Sequence, residues 1–509
     1  MTKLDRATRT AGSVSDLKRG LRVVAGAVCA LVAVGASGCG AASREVAERA
    51  APPAGGVARV DRTVPPQPGP PPEFRLPALQ RHRLSNGLSV TIVEQHELPV
   101  VDLRLVVRTG AAADGPQVAG RASLTADLLD EGTTTRSALE LADAIDFLGA
   151  ELTTYAGWDA SIVSMHVLTP RLEPALELMA DVVLNPSFPE DEFERKKRER
   201  LTALLQEQDE PRVLAAKAFA AAVYGPEHPF GTTVQGTRES VERLDRQAVV
   251  DFYRTYYRPN NAFLVVVGDV TPATLLPLLE RVFGSWQPAD VPPVRLPAPP
   301  AAQPTAVYLV DKPGAAQSEL RMGHVGVARD TPDYFSLVVL NTILGGSFTS
   351  RLNTKLREEK GYSYGAGSAF DLRRAPGPFL AGTAVFTDVT DSAVVIVLDE
   401  IRRIREEPVP AAELERAKNY LALGFPGRFE RTDGIAGQIV ELELYGLDDA
   451  QVNRYVERIR AVTAEDVQRV ARQYLDPDHM VIAVAGDRAK IEERLRAAGI
   501  GPVQTVEVR

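Results

Sequence analysis

Apolar and polar positions follow two periodicities along the chain, and these predict its secondary structure. An Asn86-Gly87 pair is typical of a tight turn, which predicts a β-hairpin across residues 80–95. Apolar residues at helical spacing predict amphipathic helices between strands. In the first half, the predicted strands are 80–95, 100–109 and 152–168, and the predicted helices are 118–131, 137–148, 170–184 and 189–208. Hairpins mixed with amphipathic helices predict an α+β fold, with helices packed on one face of an antiparallel sheet.

Two halves of the chain repeat each other in fixed register. Near its end, each half has an Arg-x-Tyr-x-x-Pro segment, an apolar run and a Gly-Asp pair, offset by 218 residues. The matching residues are Arg254, Tyr256, Pro259, Gly268 and Asp269, and then Arg472, Tyr474, Pro477, Gly486 and Asp487. A second set matches at an offset of 221: Pro189, Glu192, Glu194, Arg195 and Lys197 with Pro410, Glu413, Glu415, Arg416 and Lys418. The repeat predicts one domain fold used twice, in which Tyr and Pro close a helix before a buried strand.

Proline-rich stretches divide the chain. Residues 288–304 contain seven prolines and separate a predicted domain at 79–287 from a second at 305–509. Each is long enough to bury its own core. Residues 39–78 are rich in Ala, Pro and Gly, which predicts an extended tether without a core.

Residues 1–38 have the pattern of a secretion signal. Basic residues precede an apolar run at 23–35, which is too short to span a bilayer as a stable helix. Ala36-Ser37-Gly38-Cys39 resembles a bacterial lipobox, in which Cys39 receives lipid after cleavage before it. With Gly40 rather than Asp next, we expect a lipid-anchored protein of the bacterial cell envelope, in the periplasm and at the outer membrane. The alternative is a plain secretion signal with an incidental cysteine.

Composition and net charge limit the classes of molecule that the chain is expected to bind. Hydrophobic content of 45% and charged content of 25% are ordinary for a globular protein. The net charge is −9, and the first 38 residues carry six basic and two acidic groups, so the remainder is more acidic still. This balance argues against nucleic acid as a partner, because phosphate binding needs a basic surface. Both cysteines lie ahead of the predicted domains, so no disulfide is expected there.

One short segment carries the first candidate chemistry. Residues 120–133 read as a short helix, on which Ser123, Ala126 and Asp127 stand at i, i+3 and i+4 and share one surface. The segment resembles the pitrilysin/insulinase family of zinc peptidases, which includes the mitochondrial processing peptidase and reads roughly G-x-A-H-x-x-E-H-x-x-x-x-G-T here. The frame residues Gly120, Ala122, Gly132 and Thr133 match. Ser123, Ala126 and Asp127 replace the His, Glu and His, so the zinc motif is degenerate.

The remaining residues offer no replacement for the lost ligands. A catalytic zinc needs about three protein ligands and an open position for water. The resemblance places the family's third ligand, a Glu on a later helix, at Ala203 or Leu204. No two histidines lie three or four residues apart; they are His82, His96, His166, His228, His324 and His479. We therefore predict no metal site and no catalytic residue in this chain alone; the plainer alternative for residues 120–133 is an amphipathic helix with a solvated polar edge.

A second segment, residues 344–364, resembles the motif in the second half of the same family, in which an Arg and a Tyr seven residues later bind substrate. Arg357 and Tyr364 keep that spacing, with a helix expected over 350–360, a Gly361 cap and then a strand. Tyr362 would then share a strand face with Tyr364 and could share its role. The alternative is that Arg357 pairs with surface acids and Tyr364 fills a strand position.

These features favour a non-catalytic, zinc-less subunit, a pseudoenzyme that forms a heterodimer with a zinc-bearing homologue. The family includes such heterodimers, so the resemblance implies zinc in the partner only and a peptide held by Arg357 and Tyr364. An extended peptide is expected to bind as an added strand at a sheet edge. One alternative is a peptide-binding or scaffold protein of this fold without a protease partner. Another is hydrolysis through an unrecognised site, for which the sequence offers no nucleophilic Cys in the predicted domains and no phosphate loop.

Overall fold

The computed structural model describes residues 75–508 together with Thr63 and Gly69. The predicted signal, the lipidation site Cys39 and nearly all of the tether lie outside the described residues. No helix of the described part is both long and apolar enough to cross a membrane.

The first half forms a six-stranded sheet and eight helices. In chain order these are β1 (Gln80–Arg83), β2 (Ser89–Glu94), β3 (Val100–Val107), α1 (Arg121–Asp127), α2 (Ala138–Leu148), β4 (Glu151–Ala156), β5 (Ser161–Leu168), α3 (Leu172–Leu184), α4 (Glu190–Gln206), α5 (Pro211–Tyr224), α6 (Arg238–Arg243), α7 (Arg246–Tyr256), β6 (Ala262–Gly268) and α8 (Pro272–Phe283). All the strands and helices predicted for this half are present, including the hairpin at Asn86-Gly87, where β1 pairs antiparallel with β2.

The second half repeats the arrangement. Its elements are β7 (Ala306–Asp311), β8 (Gln317–Val325), α9 (Tyr334–Leu344), α10 (Arg351–Asn353), β9 (Ala366–Phe370), β10 (Pro378–Phe386), α11 (Thr390–Glu406), α12 (Ala411–Gly424), α13 (Thr432–Tyr445), α14 (Ala450–Asn453), α15 (Tyr455–Ala461), α16 (Ala464–Tyr474), β11 (Val481–Gly486), α17 (Arg488–Ala497) and β12 (Val503–Thr505). A π-helical segment, Thr354–Glu359, continues α10.

The two sheets have equivalent strand orders, β1-β2-β6-β3-β5-β4 and β12-β7-β11-β8-β10-β9. The α+β class with two related domains is thus confirmed. Each sheet also contains parallel pairing, of β2 with β6 and of β7 with β11 and β12, which the antiparallel expectation omitted. The repeated Tyr256 and Tyr474 end α7 and α16, and the apolar runs that follow become the central strands β6 and β11.

One helix of each half packs against the sheet of the other half. α5 packs against β8 and β11, whereas α13 packs against β3 and β6. The helices begin at residues 211 and 432, the same offset of 221 found in the repeat. All residues of β6 are buried: Leu264 and Val266 join the core of the first half, and Phe263 and Val265 join that of the second. The sheet face left free by its own helices is therefore covered by the other half.

Candidate functional site

The helix that carries the degenerate motif starts at a strained glycine. Gly120 precedes α1 with φ +94°, and a Cβ there would approach the Gln235 carbonyl oxygen to 2.5 Å, so only glycine fits. The buried Asp114 carboxylate accepts the Ala122 N–H at 3.0 Å and fixes the start of the helix. Within α1, Ala126 is fully buried.

An arginine that the sequence analysis missed joins the motif positions. Arg200, on α4, donates from Nη2 to the Asp127 carboxylate at 2.5 Å and to Ser123 Oγ at 3.1 Å. Its Nη1 donates to the Gln235 carbonyl at 3.1 Å. A single guanidinium thus crosslinks α1, α4 and the loop before α6. The only signal in the sequence was its position on α4, one turn before the residues expected to hold the third ligand.

Arg357 and Tyr364 lie close together, but the backbone that carries them differs from the prediction. Arg357 lies in the π-helical segment, and Gly361 follows with φ +64°. Strand β9 begins only at Ala366, so Tyr362 and Tyr364 lie in a loop. The expectation that they share a strand face was wrong: Tyr362 packs against the core of the second half, whereas the Tyr364 side chain is 88% exposed.

A third residue completes this cluster. The Arg357 guanidinium carbon lies 4.7 Å from the ring centre of Phe348 and 4.9 Å from that of Tyr364. Phe348 is itself 63% exposed. Arg357 Nε lies 3.1 Å from the neighbouring carboxylate of Glu358. Two cation–π contacts therefore fix the plane of the guanidinium, and its two η nitrogens make no hydrogen bond within the described residues. Phe348 was not predicted because it lies nine positions before Arg357, ahead of the start of α10, and helical spacing does not bring such positions together.

Comparison with known proteins decides the family. The family model Insulinase (Peptidase family M16) matches residues 89–233, and the model Peptidase M16 inactive domain matches residues 243–421. The chain belongs to the M16 peptidase family. An uncharacterized zinc protease of Mycobacterium bovis is 28% identical over 427 residues, covering 82% of this chain and 96% of that protein. An uncharacterized zinc protease of Mycobacterium leprae is 29% identical over 404 residues, covering 78% of this chain and 89% of that protein.

Solved structures share this fold over about four fifths of the chain. A peptidase M16 inactive domain from Pseudomonas fluorescens superposes with a TM-score of 0.75 and 27% identity, covering 80% of this chain and 98% of that one. A protease from Helicobacter pylori also gives a TM-score of 0.75, at 20% identity, covering 81% of this chain and 100% of that one.

The residues at the M16 zinc position do not fit a zinc ion. Ser123 and Asp127 are both engaged by Arg200, and Ala126 has neither ligand nor base. The positions expected for the third ligand are the exposed Ala203 and the buried Leu204. Across residues 75–508, no group of three or more His, Cys, Asp or Glu side chains is arranged to hold a metal ion. A guanidinium at this place also repels a divalent cation.

A free sheet edge runs beside the M16 motif helix. β4 pairs only with β5 among the described strands and ends its sheet. α1 packs against β4, so the edge strand lies beside the helix that holds Ser123 and Asp127. Because β4 pairs with a described strand on one side only, its other edge has backbone N–H and C=O groups that could pair with an added strand.

The turn that follows α1 contains a partly buried carboxyl, Asp130, whose negative charge is unfavourable there. The pKa of Asp130 is raised from its usual 3.8 to about 6, mainly by burial and to a smaller extent by the neighbouring Glu131 and Asp127 carboxylates. Glu131 is neutralised by Arg195 at 2.5 Å and Lys196 at 2.6 Å. The pKa of Asp130 is higher in the folded state than in the unfolded state, so the folded state binds this proton more tightly. Protonation of Asp130 therefore stabilises the fold at low pH, and this stabilisation is lost as the pH rises from about 4 through about 6.

We expect Asp130→Asn to stabilise the protein by about 1 kcal/mol at pH 7.5, because the amide removes a desolvated charge. At pH 4 the gain should disappear, because the wild-type carboxyl is then protonated. Chemical denaturation at both pH values measures the effect, with the exposed Asp143→Asn on α2 as a control. Equal gains at pH 4 and pH 7.5 would contradict the prediction.

Proposed function

We propose that this chain is the zinc-less subunit of an M16 peptidase pair, in which a homologue with an intact motif holds the zinc. In this proposal the chain supplies Arg357 and Tyr364 to the peptide site. The main support is a contrast within one molecule. Arg200 hydrogen-bonds to Ser123 and Asp127, where M16 ligands would stand. By contrast, Tyr364 is exposed, and the partly exposed Arg357 has η nitrogens without a hydrogen bond in the described part of the chain.

The chemistry of the second cluster suits a peptide. The η nitrogens of Arg357 lie in one plane and match carbonyl or carboxylate oxygens. The Tyr364 hydroxyl is free to donate to an oxygen that gains charge as an amide is attacked. Contacts with the rings of Phe348 and Tyr364 restrict the guanidinium of Arg357 before binding, so less side-chain entropy is lost when a peptide binds.

The free edge of β4 offers the second anchor. An extended peptide that adds to this edge would make backbone hydrogen bonds that do not depend on its sequence. Such a mode suits peptides or unfolded segments rather than folded proteins, because the strand added to the edge must be extended.

Reconstitution tests the pairing. The purified chain and a homologue with an intact HxxEH motif should co-elute on size exclusion, and the mixture should cleave an unfolded peptide faster than the homologue alone. The matched control replaces this chain with an unrelated acidic protein of similar size. Failure to co-elute together with an unchanged rate would overturn the pairing and leave a peptide-binding or scaffold role.

We also propose that Cys39 anchors the protein to the envelope membrane through lipid. Cys39→Ala should move the protein from the detergent phase to the aqueous phase in a phase-partition experiment, because one acyl-bearing terminus provides the anchor. Cys29→Ala, within the apolar run of the signal, is the control. Detergent partitioning that survives Cys39→Ala would argue for a plain secretion signal.

A further inference from the structure

A groove of about 540 Å³ lies where the first half meets the sheet of the second. Its wall is the start of α5, and its floor consists of β8, β9 and β10. We call it the cationic groove and define it by three side chains: Arg212 and Lys217 on α5 and Arg321 on β8. No Asp or Glu of the described residues lines it, in a chain whose net charge is −9.

Glycines make room for one of these cations. Gly382 on β10 pairs with Gly367 on β9, so two side chains are missing from adjacent strands. A Cβ on Gly382 would come within 2.7 Å of Arg321 Nη1. The Arg321 guanidinium therefore lies across the space that the glycine leaves. This local arrangement keeps a mostly buried arginine on the floor of the groove.

Carboxylates neutralise only part of the positive charge of the cationic groove. Lys217 pairs with Glu207 at 2.9 Å, and Arg321 pairs with Glu319 at 2.6 Å, from positions outside the lining. Arg212 is exposed and has no carboxylate within salt-bridge distance among the described residues. Burial lowers the pKa of Arg321, and the nearby Arg212 lowers it further. The guanidinium groups of Arg321 and Arg212 therefore repel each other, and an anion bound next to them would reduce this repulsion.

The floor of the cationic groove begins only a few residues along the chain from the proposed peptide site. Tyr364 precedes Gly367 by three residues along the loop and strand, so the floor begins within about 10 Å of Tyr364 along the backbone. A peptide of ordinary length held at Arg357 and Tyr364 reaches the groove.

We propose that the cationic groove binds acidic side chains of an extended peptide, so that the chain prefers peptides with Asp or Glu beside the segment held at Tyr364. This inference rests on the proposed peptide-binding function and adds a substrate class to it. Charge complementarity at a groove raises the association rate and fixes the register more than it adds affinity.

A pair of labelled peptides tests the proposal on the isolated full chain. One peptide has several Asp and Glu residues, and the other has Asn and Gln at the same positions. By fluorescence anisotropy at low salt, we expect the acidic peptide to bind several-fold more tightly. Arg212→Gln should reduce this preference about threefold, and Lys217→Gln should reduce it as well. Arg402→Gln on α11, which removes the same charge from an exposed helix, should leave it unchanged.

The outcomes separate this proposal from the proposed function. Arg357→Ala should weaken both peptides alike and leave the acidic preference intact, whether or not the mixture with a zinc-bearing homologue is active. Inorganic phosphate that displaces the acidic peptide from wild type but not from Arg212→Gln supports the groove. The proposal is overturned if Arg402→Gln matches Arg212→Gln, if neither groove variant changes the preference, or if phosphate binds and the acidic peptide does not.

Discussion

Arg357→Ala should lower kcat/KM of the mixture with a zinc-bearing homologue by about 100-fold, and Tyr364→Phe by about tenfold or more. Arg357 loses both η donors and its charge, whereas Tyr364→Phe removes one hydroxyl and keeps the ring over the guanidinium. The two effects should be far from additive, because both groups contact the same peptide segment. A peptidase assay at fixed, saturating subunit ratio measures them.

The chain offers a matched control for each variant. Tyr362→Phe removes the same atom two residues earlier, from a ring packed against the core, and should leave kcat/KM unchanged. Lys360→Ala removes an exposed positive charge three residues after Arg357 and should have little effect. If Arg357→Ala and Tyr364→Phe form the complex normally and cleave at the wild-type rate, the proposed role of the pair is wrong.

Local periodicity was sufficient for most strands and helices of the first half, because its hairpins and amphipathic helices can be recognised within a few residues. The second half was predicted mainly through the repeat. The helix α5 was not predicted. Its sequence is rich in Ala with apolar residues on several sides, and a helix that packs on a sheet of the other half has no polar stripe to mark it. The repeat indicated two similar domains. Nothing in its spacing predicted that one helix of each domain would pack against the sheet of the other.

The site was predicted in part for a related reason. Spacing identified Arg357 and Tyr364, but whether Tyr364 lies in a strand depends on where β9 begins, and the loop is set by the turn at Gly361. Degeneracy of the motif could be read directly from Ser123 and Ala126. The contact of Arg200 with Asp127 could not be predicted in this way. It depends on how α4 packs against α1, and more than seventy residues separate the two side chains in the sequence.

Arg200 is expected to decide whether a rebuilt motif binds zinc. The rebuilt chain carries Ser123→His, Ala126→Glu and Asp127→His, with Glu placed at 203 in one version and at 204 in another. With Arg200→Ala added, we expect stoichiometric zinc in the version whose Glu faces α1. With Arg200 retained, affinity should fall about 100-fold or more, because a guanidinium a few ångströms away repels a divalent ion by several kcal/mol.

Metal analysis after dialysis against a weak chelator, followed by titration with a zinc indicator, measures both forms. Arg198→Ala, an exposed arginine on the same helix, replaces Arg200→Ala in the control and should not restore binding. Thermal unfolding of each variant shows whether the fold survives the change at the fully buried Ala126. Equal zinc affinity with and without Arg200 would mean that the missing ligands alone, and not the resident arginine, keep the ion out. The expected difference would mean that the Arg200 guanidinium takes the structural place of a metal ion. It joins α4 to α1 by binding Ser123 and Asp127, which stand at two ligand positions of the motif.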